Sequence, residues 1–390
     1  MKKKISLSLI MTILILFTFP KTSEARLRDY ISVKKGLTVT TEYNDNRYLK
    51  PEDKEGGFEV RVHPAIALEL NVPLPAPIIK ISRHHLELSY DPGFPHITYS
   101  DGKFFDKPTH KFLGLYRFSP SPKFSLSLRD EITRDNKVSV LDPLGDYTER
   151  TYYTLHTAIP SIRYNPSPKL GIDLGYQYSS LDYGTVDYSD TEDQHLFVNF
   201  DYTFSPRTSM IISYRNLKHT YQESKDKIFS SNEFGLEITR NLTQKVGGII
   251  GVGYEMRQAA EAANAGDEVT GKLELNYKPT ERTQINLGGG VDLGTSARQD
   301  RSYKSKNTGL TITRNLTPKI SLKLDDNYRI NSYHDSERKD DLTSLGLSLE
   351  YKITKRMTSS FGYSWRKRDS NDDQYDYTNN VSTFSISMEF

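Results

Sequence analysis

Between Lys123 and Arg356 the chain repeats one short turn carrying a basic residue, each copy set between runs in which apolar and polar residues alternate. The copies read Ser-Pro-Ser-Pro-Lys123, Asn-Pro-Ser-Pro-Lys169, Phe-Ser-Pro-Arg207, Asn-Leu-Thr-Gln-Lys245, Lys-Pro-Thr-Glu-Arg282, Asn-Leu-Thr-Pro-Lys319 and Lys-Ile-Thr-Lys-Arg356. Their spacing settles to 37 or 38 residues after a first interval of 46. A fixed period of this size means one supersecondary unit used repeatedly, and alternation with period two makes that unit a β-hairpin.

Sorting each run by parity gives two unlike faces. Before Arg207 one face carries Leu196, Val198, Phe200, Tyr202 and Phe204, and the other His195, Phe197, Asn199, Asp201 and Thr203. After Lys319, Ile320, Leu322 and Leu324 oppose Ser321, Lys323, Asp325, Asn327 and Arg329. A soluble β-sandwich would bury the apolar face, whereas a membrane barrel would turn it to lipid and keep the polar face inside.

Three features favour the barrel. Lys2, Lys3 and Lys4 precede an apolar run from Ile5 to Phe19 and a small-residue site ending at Ala25, the pattern of an export signal cleaved to leave residues 26–390. Short turns on one side contrast with longer polar loops on the other. The last strand, Val381 to Phe390, sets Phe384, Ile386, Met388 and Phe390 on one face and ends on an aromatic residue, resembling the terminal-strand signal read by the outer-membrane assembly machinery. The 26 tyrosines and 17 phenylalanines beside one Trp365 suit side chains placed where hydrocarbon meets water.

Upstream of the repeats, Gly36–Tyr43 and Phe58–Val72 read as the first two strands and Pro73–Pro77 as the first short turn. Two strands for each of eight short turns, plus the first and last, predict an all-β, transmembrane, antiparallel up-and-down barrel of 18 strands in the bacterial outer membrane. Barrels of 16 to 18 strands typically leave an aqueous channel. Asp91–Thr109, with Pro92, Pro95 and Pro108, and Asp130–Arg150 read as loops, either folded inward to narrow the pore or lying on the surface. Asp335–Asp341 and Arg366–Asn380 read as charged loops projecting into the medium.

Parity assigns to the lumen Glu59, Arg61, Glu69, Arg83, Glu87, Arg129, Glu131, Asp173, Asp201, Arg215, Glu237, Glu255, Arg257, Lys272, Glu274, Asp292, Lys323, Asp325, Arg329 and Glu350. The signs are mixed. A single-sign ring would argue for ion selectivity; a mixed wall suits a polar, uncharged solute such as a sugar chain, or else simply pairs charges between neighbouring strands. Gly247, Gly251, Gly253, Gly288 and Gly290 share the inward parity, either to widen the path or to let strands bend.

Other function classes are disfavoured. There is no cysteine, hence no thiol chemistry or disulfide, and 52 basic against 50 acidic residues give no field to attract nucleic acid. The nine histidines lack metal-site spacing, so neither an enzyme nor a cofactor is expected. The sequons at Asn241 and Asn315 read as turn chemistry. A plugged transporter would need about 22 strands and a separate plug.

The signal segment, the tyrosine-rich strands and the Asn-Leu-Thr-Pro-Lys type of turn together resemble the outer-membrane β-barrel porins found with exopolysaccharide synthesis and export loci. That resemblance implies a passive conduit for secreted polysaccharide, working with periplasmic export proteins, embedded in outer-membrane lipid and lipopolysaccharide and delivered by the barrel-assembly machinery through Phe390. General diffusion of small solutes, or a structural or adhesive barrel with a filled lumen, are the alternatives.

Overall fold

A computed structural model of the chain describes residues 30–73, 82–99, 107–135, 152–183, 190–222, 228–259, 266–295, 302–334 and 336–390. Eighteen strands follow one another: β1 (Ile31–Asn44), β2 (Gly57–Pro73), β3 (Ser82–Tyr99), β4 (Thr109–Ser121), β5 (Phe124–Asp135), β6 (Tyr153–Ser167), β7 (Leu170–Tyr183), β8 (Thr191–Ser205) and β9 (Thr208–Tyr221) form the first half. The second half comprises β10 (Ile228–Asn241), β11 (Val246–Ala259), β12 (Gly266–Thr280), β13 (Thr283–Thr295), β14 (Ser302–Asn315), β15 (Ile320–Tyr333), β16 (Lys339–Lys352), β17 (Met357–Ser370) and β18 (Tyr377–Glu389). Each strand pairs antiparallel with its sequence neighbours, and β1 pairs with β18 from Gly36↔Glu389 to Asn44↔Val381, so the sheet closes. The last rung is the Phe390 N–H donating to the Lys35 carbonyl at 2.9 Å. The expected strand number and closure are those of the molecule.

Closure decides between the two homes for the apolar face. In a single closed sheet, no second sheet covers the outside, and the outward residues stand bare: Leu273 is 63% exposed, Val269 59% and Ile250 58%. A continuous apolar wall of this extent would be untenable in water and belongs in hydrocarbon.

The repeated turn has a main-chain explanation. In six of the seven turns the Ser or Thr two positions before the basic residue accepts a hydrogen bond from the backbone beyond it. Thr317 Oγ1 takes Lys319 N at 3.2 Å and Ile320 N at 3.0 Å, and Thr243 Oγ1 takes Lys245 N at 3.1 Å and Val246 N at 3.0 Å. Ser167, Ser205, Thr280 and Thr354 repeat the first of these contacts. These are the side-chain turns that favour Ser and Thr in tight connections, which gives the hydroxyls of both sequons a role inside the turn. The basic residue's own carbonyl then accepts from the next hairpin: Lys123 from Asn165, Lys169 from Thr203, Arg207 from Asn241, and so on to Arg356 from Glu389. One rung of register passes from hairpin to hairpin.

Strand limits depart from expectation where proline misleads. Asp91–Tyr99 is the end of β3, not a loop. The β2–β3 ladder is interrupted over His63–Ala65 and Asp91–Gly93, between Val62↔Phe94 and Ile66↔Tyr90, and the register on either side sets Pro92 across from Pro64. Two residues without an N–H placed opposite one another leave no orphaned donor between them, so the strand continues. Likewise β5 continues to Asp135, β16 begins at Lys339, and only residues 371–376 separate β17 from β18. Residues 100–106 and 136–150 of the two expected loops, most of the Pro73–Pro77 turn and the signal segment lie outside the described residues.

Candidate functional site: the barrel lumen

Residues directly opposite in an antiparallel ladder share a face, so the inner wall can be traced strand by strand from β1 to β18. Glu42 faces Glu59 and Thr40 faces Arg61; Glu69 faces Glu87; Arg129 and Glu131 face Ile159 and Thr157. Asp173 faces Arg163 and Asn199, Asp201 faces Gly171, and Arg215 lies between Phe197 and Glu233. Glu237 faces Gly251, which faces Lys272, and Glu274 faces Gly288. Glu255 faces Glu233 and Arg257 faces Ser231. Asp292 faces Ser305, Lys323 and Asp325 face Thr313 and Thr311, Arg329 faces Asn307, and Glu350 faces Ser321. All of these lie opposite the exposed apolar face. Arg83 belongs to β3, but its side chain is outside the described set.

In the middle of the wall these charges pair over short spans and remain wet. Lys272 Nζ lies 3.0 Å from Glu237 and 3.4 Å from Glu274, Lys323 lies 2.9 Å from Asp325, and Arg129 lies 2.7 Å from Glu131. Several pairs skip a strand because the residue between them has no side chain. Arg163 of β6 reaches Asp201 of β8 at 2.7 Å over Gly171, where a Cβ would stand 2.5 Å from the Arg163 guanidinium. Lys272 reaches Glu237 across Gly251 in the same way. Gly288 and Gly290 line a recess of about 350 Å³ with Lys272, Glu274, Asp292 and Asn307. Inward glycine here lets side chains bridge over the strand and hollows the wall.

The wall changes character towards the long loops. There the inward residues are buried: Tyr153, Tyr183, Tyr221, Phe229, Tyr333 and Tyr377, interspersed with Glu59, Arg61, Glu255, Arg257, Asp340 and Arg368. The first long connection folds onto this belt. Asn46 is fully buried and donates from Nδ2 to the carbonyls of Lys50 (2.8 Å) and Thr378 (3.0 Å), while Asn379 donates to the Asn46 carbonyl at 2.9 Å. Arg47 places Nη1 3.5 Å from Glu59, whose other oxygen lies 2.7 Å from Arg61, and Arg61 reaches Asp135 of β5 at 3.7 Å. Segment 45–56 thus meets inward-pointing groups of β2 and β18. It shows no periodicity, and Leu49 within a polar stretch was its one sequence clue.

A second cluster corrects the expectation that the late loops simply project outward. Asp340 is wholly buried, with Arg338 Nη2 2.5 Å away and Ser370 Oγ donating at 2.7 Å. The Arg338 guanidinium lies 4.4 Å from the Tyr333 ring and 3.4 Å from the Tyr375 ring. Arg368, 1% exposed, donates to the Tyr375 carbonyl and lies 4.8 Å from the Tyr377 ring. These charges are strand ends that turn into the barrel, where ring faces and carboxylates replace the water they leave. Parity extended to the strand ends would have found Asp340 and Arg368. Among the described residues no cluster of three or more His, Asp or Glu could hold a metal ion.

The wall therefore offers polar solutes a mixed field of paired charges, wet in the middle and packed at one mouth. No curated protein matches the sequence. In fold the barrel is similar to Pseudomonas aeruginosa OccK2 (OpdF), whose structure was solved in complex with glucuronate: TM-score 0.55 and 11% identity over 92% of this chain and 98% of that one. It is also similar to Acinetobacter baumannii OccAB2 (TM-score 0.54, 9% identity, 92% and 98% covered) and to Pseudomonas aeruginosa OpdQ (0.53, 10%, 92% and 99%). The sequence model of the family described as "Putative beta-barrel porin 2" matches residues 173–390, more than half of the chain. With closure, face and family in agreement, the chain belongs to that beta-barrel porin family of the outer membrane.

Proposed function

We propose that the protein is a passive diffusion porin for small polar solutes, sorted at the packed mouth formed by segment 45–56 and the buried belt. The observation that carries this reading is the contrast within one wall. Its middle is hydrated, glycine-hollowed and lined by compensated charges, and its long-loop mouth narrows onto aromatic rings and fixed ion pairs. A wall of paired charges attracts neither ion strongly and offers hydrogen bonds to hydroxyl-rich molecules. Export of exopolysaccharide, the fuller expectation drawn from the sequence resemblance, gains no support from the comparisons, among which OccK2 was solved with the small sugar acid glucuronate. A packed mouth also disfavours threading of a flexible polymer. The inward charges traced along the wall are proposed as the solute path, residues 1–25 as a cleaved export signal, and Phe390 as a contact for the assembly machinery.

Liposome swelling tests this reading. Proteoliposomes should swell in monosaccharides, with glucuronate and a neutral hexose entering at comparable rates, and swelling should fall steeply for longer oligosaccharides. A barrel that passes no sugar of any size would instead have a filled lumen, and the proposal would fail.

A further inference from the structure

The turn's geometry uses the basic residue chiefly through its main chain, and the Lys245 ammonium also donates to the Pro279 carbonyl at 3.1 Å. In six of the seven turns its N–H goes to the Ser or Thr hydroxyl two places before, and in all seven its carbonyl accepts from the next hairpin, so the main-chain contacts would be met by any residue with an N–H. All seven of these positions nonetheless carry Lys or Arg, and all seven are exposed. Counted over the turns between described strands, from 122–123 to 353–356, there are eight cations (the seven and Lys355) against one anion, Glu281. Among the described residues the opposite mouth shows no such bias: segment 371–376 has Asp372, Asp373 and Asp376 and no cation, and segment 45–56 sets Arg47, Lys50 and Lys54 against Asp45, Glu52, Asp53 and Glu55. Because successive turns are separated by two strands, the closed sheet sets these charges in a crown at intervals of roughly 10 Å.

The side chains nearest the crown point to its partner. Tyr164, Phe204, Leu242, Tyr277, Leu316 and Phe390 are exposed apolar residues at this same rim, of the kind that mark the boundary between hydrocarbon and headgroups. Lys and Arg a few residues beyond such a girdle reach the depth of lipid phosphates. We infer that the crown is a docking surface for anionic phospholipid headgroups of the leaflet facing the short turns. It holds an annulus of acidic lipid around that mouth, independently of what the pore conducts.

The test replaces Lys123, Lys169, Arg207, Lys245, Arg282, Lys319 and Arg356 with Gln, which keeps every backbone donor and acceptor of the turns. A triple variant, Lys169→Gln, Lys245→Gln and Lys319→Gln, guards against failure of the seven-fold change to fold. Barrels are extracted from phosphatidylcholine vesicles doped with phosphatidylglycerol, and co-purifying lipid is quantified by mass spectrometry. The native protein should retain phosphatidylglycerol at least roughly five-fold over its bulk share. Enrichment should drop in the triple variant, approach unity in the seven-fold variant, and collapse in high salt. Bulk lipid composition around the native barrel, or equal enrichment in native and variant proteins, would overturn the inference. So would charge-dependent sedimentation with isolated peptidoglycan while bound lipid stays at bulk composition, which would assign the crown to the cell wall.

Discussion

At the long-loop mouth Asp340 and Arg338 lie almost out of solvent, 2.5 Å apart, whereas Lys272 and Glu237 in the middle of the wall, 3.0 Å apart, remain substantially exposed. Both pairs are inward, and both are a carboxylate beside a cation. Their surroundings differ: Asp340 and Arg338 are enclosed by Tyr333, Ser370 and Tyr375, while Lys272 stands among glycines that leave room for water. Electrostatics of one kind therefore has two consequences. At the mouth, partners are fixed and removal of either strands a charge; in the wall, water substitutes for a lost partner.

That contrast can be broken from the top down. Asp340→Ala leaves Arg338 buried without its carboxylate and should destabilise the barrel by about 3–5 kcal/mol, read from urea unfolding in lipid vesicles. A loss no larger than that of a wall variant would show the belt to be hydrated. Glu59→Gln weakens the anchor of both Arg47 and Arg61 and should cost about 2–3 kcal/mol. It should also raise single-channel conductance as segment 45–56 loosens, and unchanged conductance would remove that segment from the constriction. Thr317→Val deletes the hydroxyl that receives Lys319 and Ile320, a loss of about 1 kcal/mol with no change in conductance. Smallest in stability is Lys272→Gln, at most about 1 kcal/mol, because its pairs are wet. Its signature should be a shift of reversal potential towards cation preference, since Glu237 and Glu274 lose their counterion.

Much of the architecture could be read from residue order. The period of 37 to 38 residues and the parity of each run gave the hairpin count, the closed sheet and the sorting of charges between faces, because side-chain alternation is a local rule that no distant contact overrides. Parity failed only at the edges of its domain. Pro92 and Pro95 broke the pattern and hid the end of β3, since Pro64 opposite Pro92 cannot be seen without the register. Arg366–Asn380 read as a free loop because charge density marks solvent on average. Arg368 is nevertheless buried against the Tyr377 ring of its paired strand, and Asn379 is buried against the Asn46 carbonyl from the first long connection.

By itself the sequence determined the repeat, the two faces, the strand number and the hydroxyl-and-cation turn, all consequences of backbone geometry acting over a few residues. Only the tertiary structure decided which long connection enters the lumen, which charges are stripped of water, and that seven separate turns form one crown. Those outcomes depend on closure of β1 on β18, which brings together residues more than 300 positions apart and gives the wall an inside. Burial follows from that enclosure, and no local pattern encodes it.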